Sequence, residues 1–299
     1  MKILLLGASG QVGWELQRSL APLGELIAPN RHDTELCGDL GNLAGLAATV
    51  QRVRPHIIVN AAAHTAVDKA ETEPELAYAL NALAPGALAL EAAKLGALLV
   101  HYSTDYVFDG SGTRPWLESD TPAPLNVYGQ SKLEGERLIQ AAYPRHLIFR
   151  TSWVYGARGG NFAKTMIRLA QERETLSVIN DQFGAPTGAD LLADVTAHAI
   201  GQVLKTPQDA GLYHLAAGGE TSWHGYAKYV VGLSQQAPYA MKIIAKMIKP
   251  VPSSAFPTPA KRPHNSRLDT TKLQAVFGLH LPPWQQGVAR MVAELVPQK

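Results

Sequence analysis

Tyr128 and Lys132 stand four residues apart in the run Tyr128-Gly-Gln-Ser-Lys132. On a helix this spacing puts both side chains on one face. An ammonium beside a phenol favours the phenolate and draws its pKa down from about 10. A phenol tuned in this way serves as a general acid or base near neutral pH. A Tyr–Lys pair also arises by chance in a chain with 10 tyrosines, so position has to add weight. The pair follows a segment that reads as the fourth strand, and ligands bind at the carboxyl edge of a parallel sheet. That strand leads into His101-Tyr-Ser-Thr-Asp-Tyr-Val-Phe-Asp-Gly110. The hydroxyls of Ser103 and Thr104 suit hydrogen bonds to a substrate carbonyl, and strand-end capping is their plainer use. Asp105 suits substrate hydroxyls, or a cap on the following loop.

The second group is a glycine trio, in Gly7-Ala-Ser-Gly-Gln-Val-Gly13. The apolar run Ile3–Leu6 precedes it, and an amphipathic stretch from Val12 to Leu20 follows. Strand, glycine turn and helix together aim backbone N–H groups at a pyrophosphate. Gly7 allows the tight turn, Gly10 lets phosphates approach without a Cβ, and Gly13 lets helix and strand pack closely. The reading is a dinucleotide site at the amino terminus.

The elements that must position these groups alternate in type. Further strands are expected at 25–28, 57–59, 97–102 and 146–150, with helices at 43–53, 75–95 and 127–141. Pro85 is expected to kink the second of these helices. The small residues of Asn60-Ala-Ala-Ala63 end the third strand and leave room for a cofactor, though alanine also simply packs well. Alternation of this kind predicts an α/β fold with a doubly wound parallel sheet. Beyond residue 150 the pattern loosens. Helices are expected at 161–173, 189–204, 223–234 and 283–295, with strands at 176–179 and 211–216. The stretch 243–251 is ambiguous, and 250–263 is a proline-rich connector. The division expected is a dinucleotide-binding domain over 1–150 and a smaller lobe over 151–299, partly interleaved with the first.

The bulk properties exclude several classes. The 299 residues are 46% hydrophobic and 17% charged, enough apolar mass for a large core and unlike a disordered chain. A net charge of +2 supports no nucleic-acid surface. The single cysteine, Cys37, allows no intrachain disulfide and no cysteine-rich metal site. No signal peptide is evident and no apolar run approaches the roughly 20 residues of a membrane span. A cytoplasmic protein without membrane or nucleic-acid partners is expected.

Taken together, the chain resembles the extended short-chain dehydrogenase/reductase family. The glycine trio, Asp39-Leu40, Asn60-Ala-Ala-Ala63, Ser103-Thr104 and Tyr128-x-x-x-Lys132 occur in that family's order. His64-Thr-Ala-Val-Asp-Lys-Ala-Glu71, Arg150-Thr-Ser-Trp-Val-Tyr155, Asn161-Phe-Ala-Lys164 and Asp181-Gln-Phe-Gly-Ala-Pro-Thr187 extend the likeness to its branch acting on a dTDP-linked ketohexose. The resemblance implies a Rossmann-type fold and reduction of dTDP-4-dehydro-L-rhamnose by NAD(P)H. It implies that Gly10, Gln11 and Val12 hold the pyrophosphate, and that Asp39 and Leu40 meet the adenine end. Ala63, His64 and Thr65 would line the cofactor path, and Ser103 the nicotinamide side. Tyr128 would protonate the C4 oxygen, Lys132 would bind the nicotinamide ribose, and Thr104 would hold the reacting oxygen. Asp105 and Trp153 would bind the sugar nucleotide, with Arg262 and Arg267 near the diphosphate or shaping the pocket. His64 read on its own is more simply a hydrogen-bonded structural histidine.

One departure bears on the cofactor. A carboxylate after the second strand would bind ribose hydroxyls and favour NAD. Here the stretch reads Pro29-Asn-Arg-His32. Arg31 instead suits a 2′-phosphate, with Asn30 beside it as a further cofactor-binding residue, so NADPH is expected ahead of NADH. Some members of the family hold Mg²⁺ between subunits on glutamates. Glu15 matches one such position, with Asp190 and Glu294 as further candidates; ordinary solvated helix charges fit them equally. A homodimer is expected. Two other readings remain open from sequence: an epimerase or dehydratase of the same family that retains NAD, and a non-catalytic nucleotide-binding subunit.

Overall fold

The computed structural model describes residues 1–236 and 242–295. Its centre is a six-stranded parallel sheet. The first five strands are β1 (Lys2–Leu6), β2 (Glu25–Ile27), β3 (Ile57–Asn60), β4 (Leu98–Thr104) and β5 (His146–Thr151). Gly211–His214 is the sixth, and the spatial order is Gly211–His214, β5, β4, β3, β1, β2. The winding direction reverses between β1 and β3, where an open α/β sheet leaves a crevice at its carboxyl edge.

The central strands are apolar at consecutive positions because both faces are covered. Successive side chains point to opposite faces. Ile3, Leu5, Val59, Val100 and Phe149 therefore share one core, with Leu16, Leu192 and Ile200. Leu4, Leu6, Ile58, Leu99 and Ile148 share the other, with Leu46, Leu88 and Ile139. The first core lies under helices α1 (Gln11–Leu20) and Ala189–Val203; the second lies under α2 (Leu43–Val53), Ala84–Leu95 and Val127–Ala142.

The second lobe packs helices Phe162–Glu172, Trp223–Gln236 and Trp284–Leu295 around Tyr155, Tyr226, Trp284 and Val288. The stretch that sequence left ambiguous holds a strand, Met247–Val251, paired in parallel with Thr175–Ile179. Chain order and layer do not coincide. The Ala189–Val203 helix packs on α1, and Gly211–His214 closes the edge of the sheet beside β5. Residues well past 150 thus complete the first layer.

Two expectations about the long helix change. Pro85 does not simply kink it. Pro74–Tyr78 and Ala84–Leu95 are joined by one π turn over Ala79–Leu83, and Pro85 is the second residue of the segment after that turn. By length and composition Pro74–Leu95 is also apolar enough to cross a membrane, at 22 residues and mean hydropathy 1.3. Its apolarity is met instead by packing: Ala84, Leu88, Ala89 and Ala92 lie in the core shared with α2.

Candidate active site

The glycine turn is built by contacts that no side chain could share. Gly7 has φ +84°, and a Cβ there would lie 2.6 Å from the Ala62 nitrogen. A Cβ on Gly13 would lie 2.0 Å from the Gly7 carbonyl oxygen, so α1 and β1 touch backbone to backbone. Gly10 differs. A Cβ there would meet only the Gly7 oxygen, at 3.4 Å, so the outward side is open. Gly10 caps α1, and the free N–H groups of that end face the crevice.

A cavity of about 670 Å³ runs from this turn along the carboxyl edge of the sheet. Gly7, Gly10, Gln11 and Val12 line its start, and Ala63 and Thr65 its middle. Ser103, Thr104, Asp105, Tyr128, Lys132 and Trp153 line its far end. A smaller cavity of about 200 Å³ adjoins Gly7 and is lined by Asn30, Arg31, Asp39, Leu40 and Ala63. Arg31 Nε there meets Asp39 Oδ1 at 3.3 Å, and most of its side chain stays in solvent. The two cavities together fit an extended dinucleotide: a donor-rich helix end, an approach free of Cβ atoms, and a cation at the far pocket.

Tyr128 and Lys132 sit on the Val127–Ala142 helix, capped by the Asn126 side chain accepting from Gly129 N at 2.8 Å. Gly129 lets the helix approach the turn Asp105–Val107 that follows β4, since a Cβ would lie 2.2 Å from the Tyr106 oxygen. The Tyr128 phenol is pushed up to about 12 by burial; the Thr104 hydroxyl bonds it and opposes the shift, and Asp105 adds to it. The expected lowering by Lys132 is therefore absent. The reason is where the ammonium goes. Lys132 Nζ donates to the Tyr102 carbonyl at 2.5 Å and meets His101 Nε2 at 3.1 Å. Lys132 itself is pushed down to about 8 by burial, against the favourable field of Glu136.

Asp105 is 2% exposed, and burial raises its carboxyl to about 7. Its Oδ1 accepts from the Thr104 hydroxyl at 3.1 Å; its Oδ2 is buried without a partner. Ser266, also buried, opposes the rise together with Thr104; an acceptor short of partners in a cleft wall suits a donor from a ligand. Ser103 Oγ is turned into the protein, donating to Glu136 Oε1 at 2.5 Å, and Arg150 holds the same carboxylate by two bonds.

Several expected contacts go elsewhere. The His64 imidazole faces Glu73 at 3.6 Å and does not line the cavity, because its backbone is pinned at both N–H and C=O by the Asn81 side chain. Arg262 is committed to Asp68 by two bonds, and Arg267 to Glu220. Neither arginine lines the cavity. Glu15, Asp190 and Glu294 do line one small cleft together, but Arg290 stands in it. It pairs with Asp190 at 3.5 Å and with Glu294 at 3.2 Å, while Glu15 pairs with Arg18 at 3.6 Å. Among the described residues of the single chain no three His, Cys, Asp or Glu side chains are grouped for a metal.

Other site residues were not legible. Trp223, from the second lobe, stacks on Trp153 and lines the cavity. Asn81 ties His64 to Ser131 on the Tyr–Lys helix. Its signal was present: one amide in an alanine-rich apolar run, at what proves to be a π turn, a distortion common at functional sites.

A doubly wound sheet with its glycine turn, cavity and Tyr–Lys helix at the reversal point defines a nicotinamide-nucleotide oxidoreductase of the extended short-chain class. The family model described as RmlD substrate binding domain matches residues 1–296, and the chain belongs to that family. It is 60% identical to the dTDP-4-dehydrorhamnose reductase of Shigella flexneri over 295 residues, 99% of this chain and 98% of that one. Among solved structures, the Clostridium acetobutylicum dTDP-4-dehydrorhamnose reductase superposes with TM-score 0.89 at 37% identity, covering 99% of each chain. The Bacillus anthracis enzyme of the same name, solved in complex with NADP, gives TM-score 0.87 at 36% identity, covering 98% of this chain and 99% of that one.

Proposed function

We propose that this protein reduces the C4 ketone of dTDP-4-dehydro-L-rhamnose to dTDP-L-rhamnose, using NADPH. The observation that carries the reading is the convergence of Tyr128, Thr104 and Asp105 at the end of a cavity that begins at the glycine turn. The names of the relatives and the NADP in one of them support the same substrate and cofactor. When bound, the reduced nicotinamide supplies the hydride.

The chain's own residues supply the rest. The Tyr128 phenol gives its proton to the ketone oxygen. A phenol held near 12 keeps that proton until the oxygen becomes an alkoxide, a stronger base. The Thr104 hydroxyl, which donates to Asp105 Oδ1 at 3.1 Å, turns to donate to the same oxygen. Lys132, one turn along, holds the nicotinamide ribose and offsets charge left on Tyr128. Asp105 Oδ2 accepts from a sugar hydroxyl, and the Trp153–Trp223 stack covers the ring. Gly10, Gln11 and Val12 hold the pyrophosphate; Asn30, Arg31, Asp39 and Leu40 hold the adenosine end. Proton donation in place contributes about 10²–10⁴-fold, and alignment of the reacting atoms adds more.

The direct test is to incubate the purified protein with the dTDP-ketosugar and each reduced nicotinamide, follow absorbance, and identify the sugar formed. Stoichiometric loss of NADPH with dTDP-L-rhamnose as product is expected. A protein that retains nicotinamide through purification and interconverts sugars without consuming it would be an epimerase or dehydratase instead. No turnover of any 4-ketosugar would favour a binding subunit.

A further inference from the structure

His101 lies directly across from Asn60 in the sheet register and is 1% exposed. Both of its ring nitrogens are engaged. Nδ1 meets the Asn60 amide nitrogen at 3.2 Å, and Nε2 meets Lys132 Nζ at 3.1 Å. The polarity of this row is set at its backbone end. The Ala62 N–H can only donate, and it donates to Asn60 Oδ1 at 3.2 Å. Asn60 therefore turns its NH₂ toward His101, and Nδ1 must accept. A neutral imidazole that accepts at Nδ1 carries its proton on Nε2. That N–H points at Lys132. An ammonium has donors only, whereas a neutral amine has a lone pair to accept. Turning the Asn60 amide over would set its NH₂ against the Ala62 N–H, donor against donor. Charging the ring is opposed by its burial and by Lys132, which hold it well below the ordinary histidine value.

We propose that His101 is a positioning residue for the site lysine: Asn60 fixes it as the Nε2–H tautomer, and that hydrogen makes the neutral amine the better-bonded form of Lys132. The consequence for turnover rests on the reductase reading; the tautomer does not.

The other groups facing Lys132 do not undo this preference. The Tyr102 carbonyl accepts from either form, at 2.5 Å. Glu136, one turn on, favours the ammonium, but its carboxylate is shared with Arg150 and the Ser103 hydroxyl. Tyr128, one turn back, is an un-ionised phenol at ordinary pH. The lowered value of Lys132, caused first by burial, points the same way. A preference for the neutral amine works against any step that needs the ammonium, and more so as pH rises.

Nitrogen-15 NMR of the ligand-free protein reads the tautomer directly, with His101→Gln used for assignment. A protonated Nε2 and a bare Nδ1 are expected, and a protonated Nδ1 overturns the proposal. Titration of ¹³Cε-labelled lysine, assigned with Lys132→Met, then compares wild type with His101→Gln, whose side-chain oxygen accepts from an ammonium. The Lys132 midpoint should rise by about one pH unit, a tenfold gain in proton affinity. An unmoved or lowered midpoint overturns the proposal. If His101→Gln does not fold, the wild-type tautomer, assigned with uniformly labelled histidine and the remaining single variants, decides. Neither measurement uses turnover. Loss of the reductase reading with the Nε2–H tautomer in place counts against the function alone; the reverse result counts against His101 alone.

Discussion

Trp153 and Trp223 stack with ring centroids 3.7 Å apart and planes 14° apart, joining the end of the sheet to the second lobe. Trp153 has φ +49°, a conformation that costs a side-chain-bearing residue about 1–3 kcal/mol. The stack holds it there, and Gly184 leaves space for it: a Cβ at Gly184 would lie 2.9 Å from the indole. Trp223→Ala removes the support. The KM for the sugar nucleotide is expected to rise about tenfold or more, with NADPH affinity within about twofold, read by steady-state kinetics and cofactor fluorescence.

Tyr128→Phe keeps the ring and its edge contact with Tyr106, at 5.6 Å between centroids, and removes the proton. A fall in kcat of about 10²-fold or more is expected, with cofactor Kd nearly unchanged. Near-normal turnover would take Tyr128 out of the acid role.

The last two glycines of the trio, Gly10 and Gly13, should separate fold from binding. Gly13→Ala sets a methyl 2.0 Å from the Gly7 oxygen, so thermal stability should drop by several degrees and cofactor binding with it. Gly10→Ala meets nothing closer than 3.4 Å, so Tm should hold while NADPH affinity falls. A paired melting and titration experiment distinguishes the two.

Asp105 gives a pH dependence with a definite sign. Its folded value, about 7, lies above the ordinary 3.8 because the carboxylate is buried. The folded state thus binds this proton more tightly than the unfolded chain. Stability from this group is present below the ordinary value and is lost as pH rises through about 7. Asp105→Asn should therefore raise Tm more at pH 8 than at pH 5. In catalysis the order reverses: the carboxylate acceptor forms only above about 7, so the wild-type KM for the sugar nucleotide should rise as pH falls through that value. An Asn variant with an unaltered KM profile would remove Asp105 from substrate binding.

Arg31 is the cation of the smaller cavity and shares Asp39 with solvent. Arg31→Ala should cut the preference for NADPH over NADH about tenfold, since one phosphate contact is lost. An unchanged ratio of kcat/KM for the two cofactors would exclude the contact.

What sequence alone determined is local or periodic. The glycine turn is legible because the positive φ of Gly7 and the contact of Gly13 with the Gly7 oxygen are set within 13 residues of chain. The strands are legible because burial on both faces demands apolar residues at consecutive positions, as in Ile57, Ile58 and Val59. The Tyr128–Lys132 pair is legible because helical spacing puts two residues on one face. Tertiary structure decided whatever depends on a partner distant in the chain. It turned the Lys132 head to His101 and the Tyr102 carbonyl, and left the Tyr128 phenol raised by burial. It sent Arg262 and Arg267 to Asp68 and Glu220, brought Trp223 onto Trp153, and set Arg290 among three carboxylates. Charged and aromatic side chains have long reach and many possible partners. Which partner each one takes follows from packing between elements, and no spacing along the chain records it.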